Sequence, residues 1–244
     1  MRVGSLFAGI GGFDLGLERA GMEIRWQVEN NLWCQRVLAK HWPNVTRYGD
    51  IKQVDWHTIE PVDLVCGGFP CQDISLAGKG AGLTGERSSL WFEYAKAIEV
   101  LKPRYVIIEN VAALRSRGLD QVLGALAALG YDAEWHCIPA SAVGAPHRRD
   151  RVWIVAYPNS GRREQLRGQE PSEQHTKRTI PRAQCFCSDS IRGTAWVIEP
   201  GVDRVAHGIP HRVDRLRGLG NAVVPQVVEV LGRMMMEVEH ASLV

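Results

Sequence analysis

Several features are missing from this sequence. No apolar run approaches the roughly 18 residues of a membrane span, although apolar residues make up 45% of the 244 positions. That proportion is ordinary for a chain with a buried core, so no membrane partner is expected. The opening Met1-Arg2-Val3-Gly4 runs straight into strand-like sequence, without the charged and apolar segments of a secretory leader. The six cysteines are scattered, and with no export signal they read as reduced thiols in a cytoplasmic protein. Cys185-Phe186-Cys187 has no second pair near it, so no metal is expected. No internal repeat is visible.

The formal net charge is only +2, but its distribution is uneven. Residues 158–215 hold ten Lys/Arg against seven Asp/Glu, and the remainder holds nineteen against twenty. A segment carrying all the positive balance suits a surface facing a polyanion, or simply a solvated loop. Aliphatic residues are scarce there too: between Pro158 and Gln184 only Leu166, Ile180 and Ala183 occur. That stretch cannot bury much and is expected to order only on a partner. A patterned piece follows at 196–216.

Before this insert, strand-like and helix-like patterns alternate. Residues 2–7, 23–28, 62–66, 105–109, 135–138 and 152–156 read as strands. Residues 13–20, 32–41, 88–101 and 118–129 read as helices. Such alternation implies a doubly wound, mostly parallel α/β sheet, with an antiparallel edge in the last pair. A final helix is expected from about 223 to 238, with Asn221 as N-cap and Pro225 in its first turn. Three parts follow: an α/β domain at 1–157, a small basic segment at 158–215, and residues 216–244 completing the first.

Phe7-Ala8-Gly9-Ile10-Gly11-Gly12 joins the first strand to the first helix. Glycines there allow a tight turn and close approach of a ligand to backbone. Glu29, at the end of the second strand, can accept hydrogen bonds from ribose hydroxyls, and Asp50 can bind an adenine amino group. The pattern is that of a nucleoside-containing cofactor or of a merely tight turn. The dinucleotide fingerprint fails, because its third glycine falls on Asp14. A carboxylate near the loop would repel a pyrophosphate and suit a sulfonium, which favours S-adenosylmethionine over NAD.

Gly67-Gly68-Phe69-Pro70-Cys71-Gln72 follows a buried strand. In doubly wound sheets, chemistry gathers at the carboxyl ends of strands. A partly exposed cysteine there can be a nucleophile if its thiolate is favoured, or an inert thiol; Cys66, inside the strand, is expected in the core. Glu109-Asn110-Val111 ends another strand and brings a carboxylate to the same rim, as a catalytic acid or as a cap or ion-pair partner. Arg148, Arg149 and Arg151 precede the last strand, where alternation places Arg149 and Arg151 on one face. They form a basic edge or part of the site.

In this order the motifs resemble those of the cytosine-5 DNA methyltransferase family, especially its short bacterial and phage-type members. The resemblance covers 3–156 and about 212–233. It includes the glycine loop, Glu29-Asn30, Gly49-Asp50-Ile51, Phe69-Pro70-Cys71-Gln72, Glu109-Asn110-Val111, Arg149-Asp150-Arg151 and Gly220-Asn221-Ala222-Val223-Val224-Pro225. One departure stands out: His147 occupies a position where many members carry glutamine.

The resemblance implies a Rossmann-like methyltransferase fold and a DNA (cytosine-5-)-methyltransferase activity. Cys71, Glu109, Arg149 and Arg151 would be catalytic. S-adenosyl-L-methionine would lie against Phe7, Ala8, Gly9, Gly11, Gly12, Glu29, Asn30, Asp50, Ile51, Phe69, Pro70, Leu90, Asn221 and Val223. The target cytosine would be flipped out of double-stranded DNA, and the glycine-rich 72–87 would close over it. The insert would read the target sequence. A monomer is expected, with room for a companion restriction endonuclease acting on the same site. Other readings are a tRNA-directed relative, a catalytically silent DNA-binding protein and, remotely, an NAD oxidoreductase.

Overall fold

The computed structural model describes residues 1–70, 89–159 and 212–241. Cys71, the glycine-rich segment expected to act as a lid, and nearly all of the insert expected at 158–215 lie outside the described residues. The described strands are β1 (Arg2–Leu6), β2 (Glu23–Val28), β3 (Thr46–Tyr48), β4 (Leu64–Gly67), β5 (Tyr105–Val111), β6 (Tyr131–Ile138) and β7 (Arg151–Pro158). The helices are α1 (Gly12–Arg19), α2 (Leu32–His41), α3 (Ser89–Leu101), α4 (Leu114–Arg117), α5 (Leu119–Ala128), α6 (Arg212–Asn221) and α7 (Pro225–Ala241). Among the described residues no helix is long and apolar enough to cross a membrane.

The seven strands form one sheet in the order β3-β2-β1-β4-β5-β7-β6. The pairs β1–β2, β1–β4, β2–β3 and β4–β5 are parallel, while β7 runs antiparallel to both of its neighbours. The doubly wound expectation holds. The last pair forms the antiparallel edge expected of it, with the later strand β7 lying inside, between β5 and β6. The edge strand β6 begins at Tyr131, four residues before the expected start, because it pairs with β7 along its whole length. Its central residues are largely exposed, so it lacks the apolar pattern that would reveal it in sequence.

Apolar side chains fill both faces. One cluster joins Val65, Ile108 and Ile154 of the sheet to Tyr94 and Ile98 of α3 and to Val122 and Leu126 of α5. The other joins Leu64, Ile107 and Trp153 to Phe13 and Leu17 of α1 and to Val227, Val228 and Met235 of α7. The inward stripe of α3 is legible as Leu90, Trp91, Tyr94, Ala97, Ile98 and Leu101, the spacing of one helix face.

The carboxyl-terminal end departs from expectation. Residues 212–221 form α6, the chain breaks over 222–224, and α7 starts at Pro225. Asn221 therefore ends one helix instead of capping the next. Pro225 holds the first position of α7, where its missing N–H costs nothing. α7 returns across the sheet to pack on α1, and the contact is close. A Cβ on Gly16 would lie 2.5 Å from the Pro225 carbonyl oxygen, and one on Gly232 would lie 2.7 Å from the Ala20 Cβ.

That geometry makes opposite predictions for two glycine-to-alanine changes. Gly16→Ala should lower stability by about 1–3 kcal/mol through overpacking. Gly124→Ala, in α5 with nothing within 4 Å of the new Cβ, should raise it by about 0.5–1 kcal/mol through helix propensity. Chemical denaturation of the two variants checks both signs.

Candidate active site

Because β1, β2, β4 and β5 run in parallel, their carboxyl ends share one rim. The loop after β1 takes the left-handed conformation twice, at Phe7 (φ 51°), where it is strained, and at Gly9 (φ 56°), where it is not. For phenylalanine the left-handed region costs on the order of 1–2 kcal/mol, offset by fixed partners around it. The Ala8 N–H donates to the Val28 carbonyl at 3.1 Å, and the Gly11 N–H donates to the Ala8 carbonyl at 2.9 Å. Gly11 (φ 86°) is the N-cap of α1. A Cβ there would strike the Trp42 ring, so Gly11 shapes the turn.

Glu29 follows β2 and stitches this loop to the start of α2. Its Oε2 accepts from the Gly9 N–H and its Oε1 from the Asn31 N–H, both at 2.8 Å. Each carboxylate oxygen retains a second acceptor site, so Glu29 can still bind ligand hydroxyls. Asn31 caps α2 by accepting from the Trp33 and Cys34 N–H groups. Asp50 caps the short turn Ile51–Gln53 through its Oδ1, leaving Oδ2 for a ligand.

These groups line a cavity of about 600 Å³, within the usual range of small-molecule sites. Of the residues expected to hold a cofactor, Phe7, Ala8, Gly9, Gly12, Glu29, Asn30, Asp50, Ile51, Phe69, Pro70, Leu90, Asn221 and Val223 all line it, and Gly11 does not. Trp33, Asp214 and Arg217 also line it, unanticipated from sequence. An aromatic residue four positions beyond Glu29 was a usable signal for Trp33. Nothing marked Asp214 and Arg217, which lie at the far end of the long insert and just past it.

The cavity's charge fits a cationic nucleoside cofactor. Four carboxylates (Glu29, Asp50, Glu109, Asp214) face two guanidiniums (Arg151, Arg217). That imbalance repels a pyrophosphate and favours a sulfonium with an amino group, so S-adenosylmethionine fits the residues present. Asp14, expected to contribute its charge near the loop, takes no part in this balance because it does not line the cavity. Asp14 is 0% exposed, turned away beneath the loop, and accepts from Gln27 Nε2 at 2.8 Å and Ser5 Oγ at 3.2 Å. The β1–β2 register steps by one residue between Val3 and Gly4. That step puts Gln27 on the α1 side.

At the other end of the cavity, Glu109 and Asn110 end β5. Asn110 Nδ2 donates to the Phe69 carbonyl at 2.9 Å, and the Phe69 ring packs on Trp91 with centroids 5.3 Å apart. The residues leading to Cys71 are thereby fixed up to Pro70. Cys66 is wholly buried in β4, as expected for a core thiol, and burial pushes its pKa well up. Glu109 packs against Gly68, where a Cβ would lie 2.7 Å from its Oε2. Arg151, first residue of β7, donates from Nε to Glu109 Oε1 at 2.9 Å.

Glu109 is only 8% exposed. Burial raises its pKa to about 7, against the lowering effect of Arg151 and Arg149. At neutral pH the carboxyl is poised to hold or release a proton. Arg149 lies outside β7, with φ 40°, so strand alternation does not pair it with Arg151. Its Nη2 donates to the carbonyls of Gly220 at 2.7 Å and Ala222 at 2.6 Å.

The class defined by this sheet order and rim is that of a Rossmann-like methyltransferase. The profile of the C-5 cytosine-specific DNA methylase family matches residues 1–192, and the chain belongs to that family. It is 32% identical over 180 residues to the type II methyltransferase M.HhaI of Haemophilus parahaemolyticus, covering 72% of this chain and 55% of that protein. To M.Eco47II of Escherichia coli it is 38% identical over 162 residues, covering 63% and 39%. Among solved structures it is similar to a Spodoptera frugiperda DNMT2 mutant, with TM-score 0.56, 21% identity and coverage of 72% and 53%. A putative DNA modification methyltransferase encoded within an E. coli prophage gives TM-score 0.55 at 23% identity, with coverage of 70% and 49%. The chain spans about half the length of the curated relatives it matches.

Two predictions follow from the cavity and the residues beneath it. Glu29→Ala should weaken S-adenosylmethionine binding by about one to two orders of magnitude, since it removes charge-assisted bonds and frees Gly9; calorimetry tests this. Burial raises the Asp14 pKa from 3.8 to about 6, so the folded state retains a proton that the unfolded state releases. Stability should therefore fall as pH rises from about 4 to 6, by up to roughly 3 kcal/mol. In Asp14→Asn this fall should shrink, because the group that titrates is gone. Denaturant titrations across that pH range give both slopes.

Proposed function

We propose that this chain is a DNA (cytosine-5-)-methyltransferase that uses S-adenosylmethionine. The observation that carries the proposal is the buried Glu109–Arg151 pair at 2.9 Å, on the same rim as the residues that lead into Cys71 and facing the same cavity as Glu29 and Asp50. Family membership and the negative balance of the cavity support the same reading.

S-adenosylmethionine, when bound, supplies an electrophilic methyl group; Glu29, Asp50 and the 7–12 loop hold its nucleoside part. The protein's task is to make carbon 5 of cytosine nucleophilic. The Cys71 thiolate adds to carbon 6, and the electron pair released toward N3 is met by a proton held at Glu109. A carboxyl with a pKa about 7 can donate that proton near neutrality and take it back later. Arg151 fixes the Glu109 carboxyl and offers its remaining N–H groups to the O2 edge. After methylation, a base removes the carbon 5 proton, the carbon 5–carbon 6 double bond re-forms, and Cys71 leaves as thiolate. The cytosine must leave the base stack to reach this rim.

Double-stranded DNA is the proposed partner, with residues 158–215 as the segment that selects the sequence. A companion restriction endonuclease acting on the same site, action as a monomer and a place in the cytoplasm, where DNA is accessible and thiols stay reduced, complete the proposal.

Bisulfite sequencing of DNA from a methylation-free host that expresses the chain tests the reading and reports the target. Converted-resistant cytosines at one recurring sequence are expected, and none with Cys71→Ala. Cys66→Ala should retain activity while losing some packing. Methylation of tRNA but not duplex DNA in a parallel assay, or full turnover by Cys71→Ala, overturns it.

A further inference from the structure

The motif alone assigns Arg149 to the reacting base, beside Arg151. We infer that Arg149 is instead a positioning residue, a strap that fastens the cofactor-facing wall formed by α6 and residues 220–223 onto the catalytic rim. The inference rests on the proposed cofactor reading for its functional consequence, but not for its structural one.

The geometry of the guanidinium carries the inference. Both bonds from Arg149 Nη2 go to backbone carbonyls of one short segment, Gly220 and Ala222, more than seventy residues away in sequence. Those carbonyls lie at the carboxyl end of α6, where the last turn leaves acceptors without helical partners. The Gly218 carbonyl is satisfied locally by the Ala222 N–H at 3.0 Å; the Gly220 carbonyl receives Arg149. A cation there also opposes the negative end of the helix dipole. Arg151, by contrast, lines the cavity and holds Glu109, whereas Arg149 does not line it.

What the strap holds is wall. Asp214, Arg217 and Asn221 of α6, and Val223 beyond it, face the cavity. Val223 packs on the glycine loop, with its Cγ2 2.8 Å from where a Cβ on Gly12 would be. Gly218 sits against the Trp33 ring, where a Cβ would come within 2.7 Å. α6 therefore touches the cofactor end through Trp33 and Val223 and is tied to the chemical end through Arg149. With Arg149 removed, this wall should loosen while the sheet stays intact. Cofactor affinity should suffer before chemistry does, because Arg151 and Glu109 keep each other.

Three measurements on the full chain decide it, with Arg149→Ala and Arg149→Lys. Hydrogen exchange on the ligand-free protein should show residues 212–224 exchanging at least about tenfold faster in Arg149→Ala, with 105–111 unchanged. S-adenosylmethionine affinity by calorimetry should fall about tenfold or more in Arg149→Ala and recover to within about threefold of the parent in Arg149→Lys, which keeps a cation at the helix end. At saturating cofactor, single-turnover methylation of duplex DNA by Arg149→Ala should fall by no more than about tenfold, the part that follows from losing one of the two charges that lower the Glu109 pKa, and the cofactor affinity carries the rest of the defect. Unchanged exchange over 212–224 overturns the strap. So does unchanged cofactor affinity accompanied by a hundredfold loss in single-turnover rate, which would put Arg149 on the substrate. If the parent chain itself fails to bind S-adenosylmethionine, the proposed function fails, and the exchange data still judge the strap.

Discussion

The position of β7 governs the rest of this molecule. A parallel strand brings its last residues to the rim where a doubly wound sheet does chemistry, and its first residues to the opposite edge. β7 runs antiparallel beside β5, with Val111 opposite Arg151 and Asn110 opposite Val152. Its first residue therefore stands at the carboxyl end of β5. That reversal lets Arg151 reach Glu109 and brings Arg149, just outside the strand, within reach of the segment joining α6 to α7. Had β7 run parallel in the same slot, its arginines would lie a strand's length from the carboxylate.

The second dependency is on close backbone packing at the same rim. Gly68 lies so near Glu109 that a Cβ there would push the carboxylate aside, and Asn110 holds the Phe69 carbonyl. β4 and β5 are in register, with Gly67 opposite Ile108, so the residues after β4 fall beside the carboxylate and amide near the end of β5. The order of residues leading to Cys71 is thus a consequence of sheet register as well as of local turn chemistry. α7 adds a third constraint. It packs on α1 through Gly16 and Gly232, and so brings Val223 against the glycine loop from a distant part of the chain.

Much of this was legible in the sequence, for a definable reason. Glycine loops, acids and the Phe69-Pro70-Cys71 run sit at strand ends, where the pattern switches from strand to helix, and such switches survive without any knowledge of tertiary contacts. The placement of Glu29, Asp50 and Glu109 on one cavity follows from that. Asp14 was misread because its partner Gln27 reaches the α1 side only through a register step between β1 and β2, and no residue pattern announces such a step. The antiparallel edge was expected of the last pair, but the insertion of β7 between β5 and β6 was not, because strand order is not written in local periodicity. The partners of Arg149 lie across the whole insert, and Asn221 looks like an N-cap until α6 is known to end on it.

Glu109 shows how burial and charge together set a catalytic tendency. Burial alone would hold the carboxyl neutral far above its ordinary range, because an isolated anion in a low-dielectric site is costly. A tight pair with arginine in water would hold it ionised. Here the two effects oppose each other: desolvation is the larger, Arg151 and Arg149 pull the other way, and the outcome is a pKa about 7. The balance makes the protonated and ionised forms nearly equal in free energy at neutral pH, which is what a group that must give and recover one proton in a cycle requires. It also means that Arg149, though it does not line the cavity, acts on the carboxyl through its field. Fastening the cofactor wall and tuning the acid then fall to one guanidinium, and loosening the wall would shift that field as well.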